Sequence, residues 1–137
     1  MVEDKIIKIE KLNIKRCKGT ILIVDDEPSI RSVLQEFLKS KGFIAHAAAL
    51  AEDAIEILNE IEVDLVITNI NMPGMNGLEL TRLIKDRYTS HVIIFTGYSK
   101  TCTREDAHRV CADALFYKPA KLEDLLESIN RVLGNCN

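Results

Sequence analysis

From Thr20 to Leu133 the chain alternates short apolar runs rich in β-branched residues with segments whose apolar positions recur at helical spacing. That switching of period constrains the fold more than any other feature. A run such as Thr20-Ile-Leu-Ile-Val24 has no polar alternation, so it reads as a strand buried on both faces. Residues 43–47 form a second, weaker run, and 64–69, 91–96 and 114–118 form three more, the fourth closed by Gly97. Between them, Ile30, Val33, Leu34, Phe37 and Leu38 mark a first helix that Gly42 ends. Ala54, Ile55, Leu58 and Ile61 mark a second; Leu80, Leu83 and Ile84 a third. A weaker amphipathic helix is expected over 100–111, around Ala107, Val110 and Cys111. The last runs through Leu122, Leu125, Leu126, Ile129 and Leu133. Five strands alternating with five helices specify an α/β fold, a parallel sheet covered on both faces. In such open sheets, chemistry collects at the carboxyl ends of the strands.

A length of 137 residues favours a single domain. Residues 1–18 precede the first strand and read as an extension or arm, leaving 19–137 as the domain. The formal charge of -3 is unevenly spread: residues 1–19 carry six Lys/Arg against three Asp/Glu, the remainder 12 against 18. An acidic body argues against direct nucleic-acid binding, which needs clustered cations. The basic opening suits an acidic partner, although a short charged run is more often a solvated tail. Cys17, Cys102, Cys111 and Cys136 show no metal-ligand pairing. Without a signal peptide they read as free thiols, and the chain as cytoplasmic. The apolar runs are far short of a membrane span.

Asp25-Asp26, Asn69, Thr96 and Lys118 all fall at the carboxyl ends of predicted strands. Each has a bland reading alone. Paired acids favour turns and helix starts, a lysine before Pro119 is often exposed, and Thr96 before Gly97 suits a strand end. Two adjacent carboxylates are also an oxygen-rich cluster suited to a hard cation. Delivered together to one edge by four strands, these residues make a candidate site. Asn69 stands out, because Leu65-Val-Ile-Thr-Asn69 runs into the Pro/Gly loop Asn71-Met-Pro-Gly-Met-Asn-Gly77 at a place suited to a carboxylate.

Over residues 20–134 the chain resembles the receiver domain of two-component response regulators. The resemblance rests on Val24-Asp25-Asp26-Glu27-Pro28, the segment from Asp64 to Gly77, Phe95-Thr96-Gly97 and Tyr117-Lys118-Pro119. It implies a flavodoxin-like (βα)5 doubly wound sheet of strand order 2-1-3-4-5. It also implies that position 69 accepts a phosphoryl group from a sensor histidine kinase or phosphotransfer protein. Asp26 would ligate Mg2+ directly, Asp25 largely through water, and Asn71 through its backbone carbonyl. Lys118 would neutralise phosphoryl charge, and Thr96 would bond the phosphoryl group and shift a two-state equilibrium. The resemblance places the readout face, for a downstream protein or a second copy of the domain, at about 100–133. Such a domain assists its own phosphotransfer and is not a dedicated enzyme.

The chain departs from that pattern twice. Asn69 is uncharged and a poor nucleophile, so the acyl phosphate cannot form and Mg2+ affinity should fall; losing one of three crowded carboxylates should favour the metal-free fold. Leu115 occupies the position where the family places an aromatic switch residue, and strand alternation sends Phe116 to the opposite face. Two function classes follow: a phosphorelay receiver whose acceptor was exchanged for asparagine, or a natural pseudo-receiver acting as a phosphorylation-independent interaction module. A flavodoxin-like enzyme or nucleotide binder is disfavoured, because acids stand where a Gly-rich phosphate loop would be needed. His46, His91 and His108 read as ordinary structural histidines, Met72 and Met75 as loop packing, and Tyr98 as a residue overhanging the site or a plain surface aromatic.

Overall fold

In the computed structural model, residues 18–97 and 104–135 are described. Among these residues, five parallel strands alternate with five helices: β1 Thr20–Val24, α1 Pro28–Ser40, β2 Ile44–Ala48, α2 Ala51–Glu60, β3 Leu65–Thr68, α3 Gly77–Arg87, β4 His91–Gly97, α4 Arg104–Arg109, β5 Ala114–Lys118 and α5 Leu122–Leu133. The strand order is 2-1-3-4-5, as the resemblance implied. β1 and β3 lie inside the sheet and bury nearly every residue, so their unbroken apolar runs are physically required.

The sheet divides the core into two layers. Leu22, Val24, Val66, Val92 and Ile94 pack under α2, α3 and α4 through Ala54, Leu58, Leu80, Ile84 and Ala107. Ile21, Ile23, Leu65, Ile67 and Ile93 pack on the other face under α1 and α5 through Leu34, Leu38, Leu125 and Ile129. Each such Leu or Ile contributes about 1.5–3 kcal/mol on burial. Met72 is buried in the first layer and Met75 packs against it, the packing role expected for both. Leu115 joins the first layer and Phe116 the second, the opposed facing that strand alternation requires. β5 is one of the sheet's two edges, opposite β2, and is only half-buried along its whole length.

Three helices end on a left-handed residue that lets two backbone N–H groups reach back to orphan carbonyls. Gly42 ends α1, its N–H bonding Lys39 O and that of Phe43 bonding Leu38 O. Gly134 ends α5 in the same way. At α4 the left-handed position is taken by Cys111, at φ 63°. Its N–H bonds His108 O while that of Ala112 bonds Ala107 O. This closure is why α4 stops at Arg109, short of the 111 expected from periodicity; residues 98–103, including the expected start of that helix and Tyr98, lie outside the described residues. The proposed arm likewise lies outside them, except Lys18, whose N–H bonds Gly42 O and whose carbonyl accepts from Asn135. No helix among the described residues is long and apolar enough to cross a membrane.

Candidate functional site

The carboxyl ends of β1, β3, β4 and β5 lie together because parallel strands deliver them all to one edge. Asp25 follows β1 directly, and its N–H extends the ladder to Ala48 O. Its side chain is almost fully buried, and its two oxygens have separate tasks. Oδ1 accepts the N–H of Glu27 at 2.9 Å, which turns the chain into α1. Oδ2 accepts from Lys118 Nζ at 2.7 Å. The turn-forming reading of this acid is thus half of its role. Arg31 adds a bond from Nη1 to the Asp25 carbonyl at 2.8 Å. Lys118, joined to Pro119 by a cis peptide, also lies 5.6 Å from the Phe95 ring centroid. It is no free strand-end lysine: it reaches across the sheet edge to β1.

Asn69 sits at the centre. Its backbone N–H still bonds Val24 O, although β3 ends at Thr68. Side-chain Oδ1 accepts from Thr96 Oγ1 at 2.7 Å and from the N–H of Ile70 at 2.9 Å. Nδ2 donates to Asn71 O at 3.2 Å and faces Asp26 Oδ1 at 3.5 Å. Two donors at one end and two acceptors at the other fix the orientation of the amide. Thr96 is 1% exposed and Asn69 7%, so these bonds act where water is scarce and matter accordingly. Asp26 is exposed.

All the residues expected at the site therefore come together except Leu115, which lies three residues before Lys118 and pairs with Ile94 inside the sheet. It lies on the same face as the layer that covers Thr96's strand through Ile94 and Val92.

Three further residues support the site, and two of them, Gly77 and Glu52, carry no obvious signal in the sequence. Gly77 opens α3 so close to β3 that an added Cβ would stand 2.0 Å from Asn69 O. Its N–H bonds Ile70 O at 2.8 Å. Glu52 of α2 accepts the N–H of Met75 at 3.2 Å and braces the loop. Asn76 caps α3 reciprocally with Glu79. That last motif, Asn-x-x-Glu, is legible as a capping box, although its segment reads first as a loop.

As a donor set the cleft offers the Asp25 and Asp26 carboxylates, the Asn71 carbonyl and the Asn69 amide oxygen, with one ammonium beside them. All are oxygen donors, a fit for a hard cation such as Mg2+. Among the described residues no group of three or more His, Cys, Asp and Glu has metal-binding placement, and position 69 offers an amide rather than a carboxylate. The Asn69 Nδ2 points at the same Asp26 and Asn71 oxygens a cation would need. A cation entering there must turn that amide and break its bonds to Thr96 and Ile70.

Residues 21–130 match the sequence profile of the Response regulator receiver domain. The regulatory protein TorR of Escherichia coli K12 is 34% identical over 113 residues, covering 82% of this chain and 49% of TorR. Protein PetR of Rhodobacter capsulatus is 34% identical over 82% of this chain and 48% of its own length. The chain thus spans about half the length of these curated relatives. Among solved structures, the receiver domain of TorR is 33% identical, covers 85% of this chain and 97% of that one, and superposes with a TM-score of 0.79. TrrA of Thermotoga maritima, solved in complex with Mg(2+)-BeF, is 33% identical over 83% of this chain and 98% of that one, with a TM-score of 0.75. The motifs, the sheet order and these likenesses agree: this chain belongs to the response regulator receiver domain family.

Proposed function

We propose that this chain is the receiver of a two-component phosphorelay with its acceptor position occupied by Asn69, and so in a non-phosphorylatable form. The observation that carries this is the placement of Asn69, flanked on one side by Asp26 and the Asn71 carbonyl and on the other by Thr96. An amide nitrogen has its lone pair delocalised into the carbonyl and does not attack phosphorus, so no acyl phosphate forms. Asp26 and the Asn71 carbonyl would hold Mg2+ directly and Asp25 chiefly through water, a reading that the Mg(2+)-BeF complex of TrrA supports. Bound there, Mg2+ supplies positive charge against phosphoryl oxygens. Lys118 supplies a second cation once it leaves Asp25, and the Thr96 hydroxyl is placed to bond a phosphoryl oxygen. A sensor histidine kinase or phosphotransfer protein is the upstream partner. A downstream protein, or a second copy, reads the face built from residues of about 100–133.

Restoring the acceptor with Asn69→Asp tests this directly. With Mg2+ and a small-molecule phosphodonor, the variant should take up one phosphoryl group while the parent takes up none. Mg2+ affinity should rise about tenfold or more, since a carboxylate replaces an amide that blocks the oxygens. A correctly folded variant that stays unlabelled would sink the proposal.

One feature favours a second reading, a natural pseudo-receiver that binds partners without phosphorylation. Every polar group of Asn69 is satisfied internally, and Leu115 stands at the aromatic-switch position. Under that reading, partner binding by the parent chain is indifferent to Mg2+ and to beryllofluoride.

A further inference from the structure

Asn69 Oδ1 takes two donors at once, the Thr96 hydroxyl at 2.7 Å and the Ile70 N–H at 2.9 Å. Both polarise the amide carbonyl, and both aim at the oxygen that turns negative when its carbon is attacked. Thr96 and Ile70 are buried, so solvent does little to weaken these donors. At the other end, Nδ2 donates to the Asn71 carbonyl at 3.2 Å and faces the Asp26 carboxylate at 3.5 Å. Asp26 is exposed and Asn69 keeps 7% of its surface, so solvent touches both residues. An oxyanion pocket on one side of an amide and a proton carrier on the other are the parts of an amide-cleaving centre.

Asn76 shows the ordinary case. Its Oδ1 takes one donor, the Glu79 N–H at 2.9 Å, and the Glu79 carboxylate turns to the Asn76 backbone N–H instead of its side-chain nitrogen. Asparagine is usually lost by attack of the following backbone nitrogen on the side-chain carbonyl carbon. At Asn69 that route is opposed, because the Ile70 N–H is turned to Oδ1 and its residue is β-branched and buried.

We propose that Asn69 is hydrolysed in place to aspartate by water. Asp26 takes a proton from the water as the water oxygen bonds Asn69 Cγ, and Oδ1 becomes an oxyanion held by Thr96 and Ile70. As the carbonyl reforms, the Cγ–Nδ2 bond breaks and Asp26 returns the proton to the leaving nitrogen. Ammonia takes up the proton of the new carboxyl group, so the products are ammonium and a carboxylate at position 69. The two donors on Oδ1 bind a carboxylate more strongly than an amide, which favours the product. Its second oxygen faces the Asp26 and Asn71 oxygens with no proton between them, a pattern that a hard cation relieves. Under the receiver reading the conversion creates the acceptor from within the chain, whereas the hydrolysis itself does not depend on that reading.

The test incubates the freshly purified full chain in oxygen-18 water at neutral pH and reads residue 69 by peptide mass spectrometry. Residue 69 should exchange its nitrogen for one heavy oxygen, as α-linked aspartate, at least about tenfold faster in the folded chain than in urea. Thr96→Val should slow the conversion about a hundredfold, and Thr96→Ser should keep it near the parent rate. Asp26→Ala, at an exposed position, should slow it about a hundredfold as well. Equal rates in the folded and unfolded chain would overturn the proposal, and so would parent rates in Thr96→Val. Isoaspartate at 69, the mark of attack by the Ile70 nitrogen, would overturn it too. A folded chain that keeps its amide while Asn69→Asp accepts a phosphoryl group would end this inference and leave the receiver reading standing.

Discussion

At the amino end of the sheet, Asp64 and Asp113 bind the backbone of the neighbouring strand, whereas at the carboxyl end Asp25 and Asp26 face side chains and loop amides. Asp64 Oδ2 accepts the N–H of Thr20 at 2.8 Å, and its own backbone pairs with Thr20 and His91. Asp113 Oδ2 accepts from Val92 N at 2.8 Å and from Lys85 Nζ at 2.7 Å. Each of these acids extends a ladder by one residue and closes it. Asp26, by contrast, has one long contact, 3.5 Å to Asn69 Nδ2, among the described residues. The amino end has its oxygens committed to the fold, whereas at the carboxyl end Asp26 keeps acceptor capacity beyond its one long contact. Capacity left open by the fold is what a ligand can take up, so the contrast between Asp26 and the acids of the amino end is one of availability.

The contrast breaks most visibly at Gly77, where the carboxyl end has no room to give. Gly77→Ala would push a methyl group into backbone, 2.0 Å from Asn69 O and 2.8 Å from the Ile70 Cα. We expect a loss of about 3 kcal/mol or more, read from urea denaturation. A midpoint within error of the parent would show that α3 can slide freely on β3.

Asp113→Asn probes the amino end and should cost about 1 kcal/mol at neutral pH, its charge pair being partly solvent-screened. Burial alone pushes the Asp113 carboxyl up, but the Lys85 hydrogen bond, the Val92 N–H, the Lys85 charge and His91 together hold it below its ordinary 3.8. A carboxyl held low in the fold contributes its stability above the unfolded value and loses it as pH falls through the folded one. Parent and variant should therefore converge as pH drops below the ordinary carboxylate range. A gap that stays constant into acid would contradict this assignment.

The smallest effect is a gain. Cys111 holds the left-handed position that glycine holds at the ends of α1 and α5. Cys111→Gly should raise stability by about 0.5 kcal/mol, relief of that conformation outweighing the added unfolded-state entropy. A lower thermal midpoint in the variant would show that thiol contacts outweigh the backbone.

Much of this was legible in the sequence because hydrophobic period is a local property. Unbroken β-branched runs mark β1 and β3, and the alternation with helices leads to a parallel sheet before any family is named. Residues at the ends of those runs then fall at one edge by geometry alone, so Asp25, Asn69, Thr96 and Lys118 were found by position. What they touch was not legible. The Lys118 to Asp25 pair joins residues 93 apart in sequence, and nothing local distinguishes that lysine from an exposed one. Gly77 reads as a turn former after Asn76, because close approach to β3 is a property of two segments and neither shows it alone. Asp113 looks like any acid in a loop until Val92 and Lys85 are brought to it. Boundaries moved where side chains rather than ladders end an element: Asp64 and Asn69 keep single backbone bonds to β1 but stand outside β3.

Phe95 and Phe116 belong to the layer beneath α1 and α5, and Leu115 to the one beneath α2, α3 and α4. By the alternation of β4 and β5, Thr96 stands on the α2–α4 side and Lys118 on the α1–α5 side, so the cleft is where two otherwise insulated compartments meet over the rim of the sheet. Asn69 is tied to the first compartment by the Thr96 hydroxyl, while the ammonium that serves the second is tied to Asp25, so the two halves of the molecule touch this rim through different side chains.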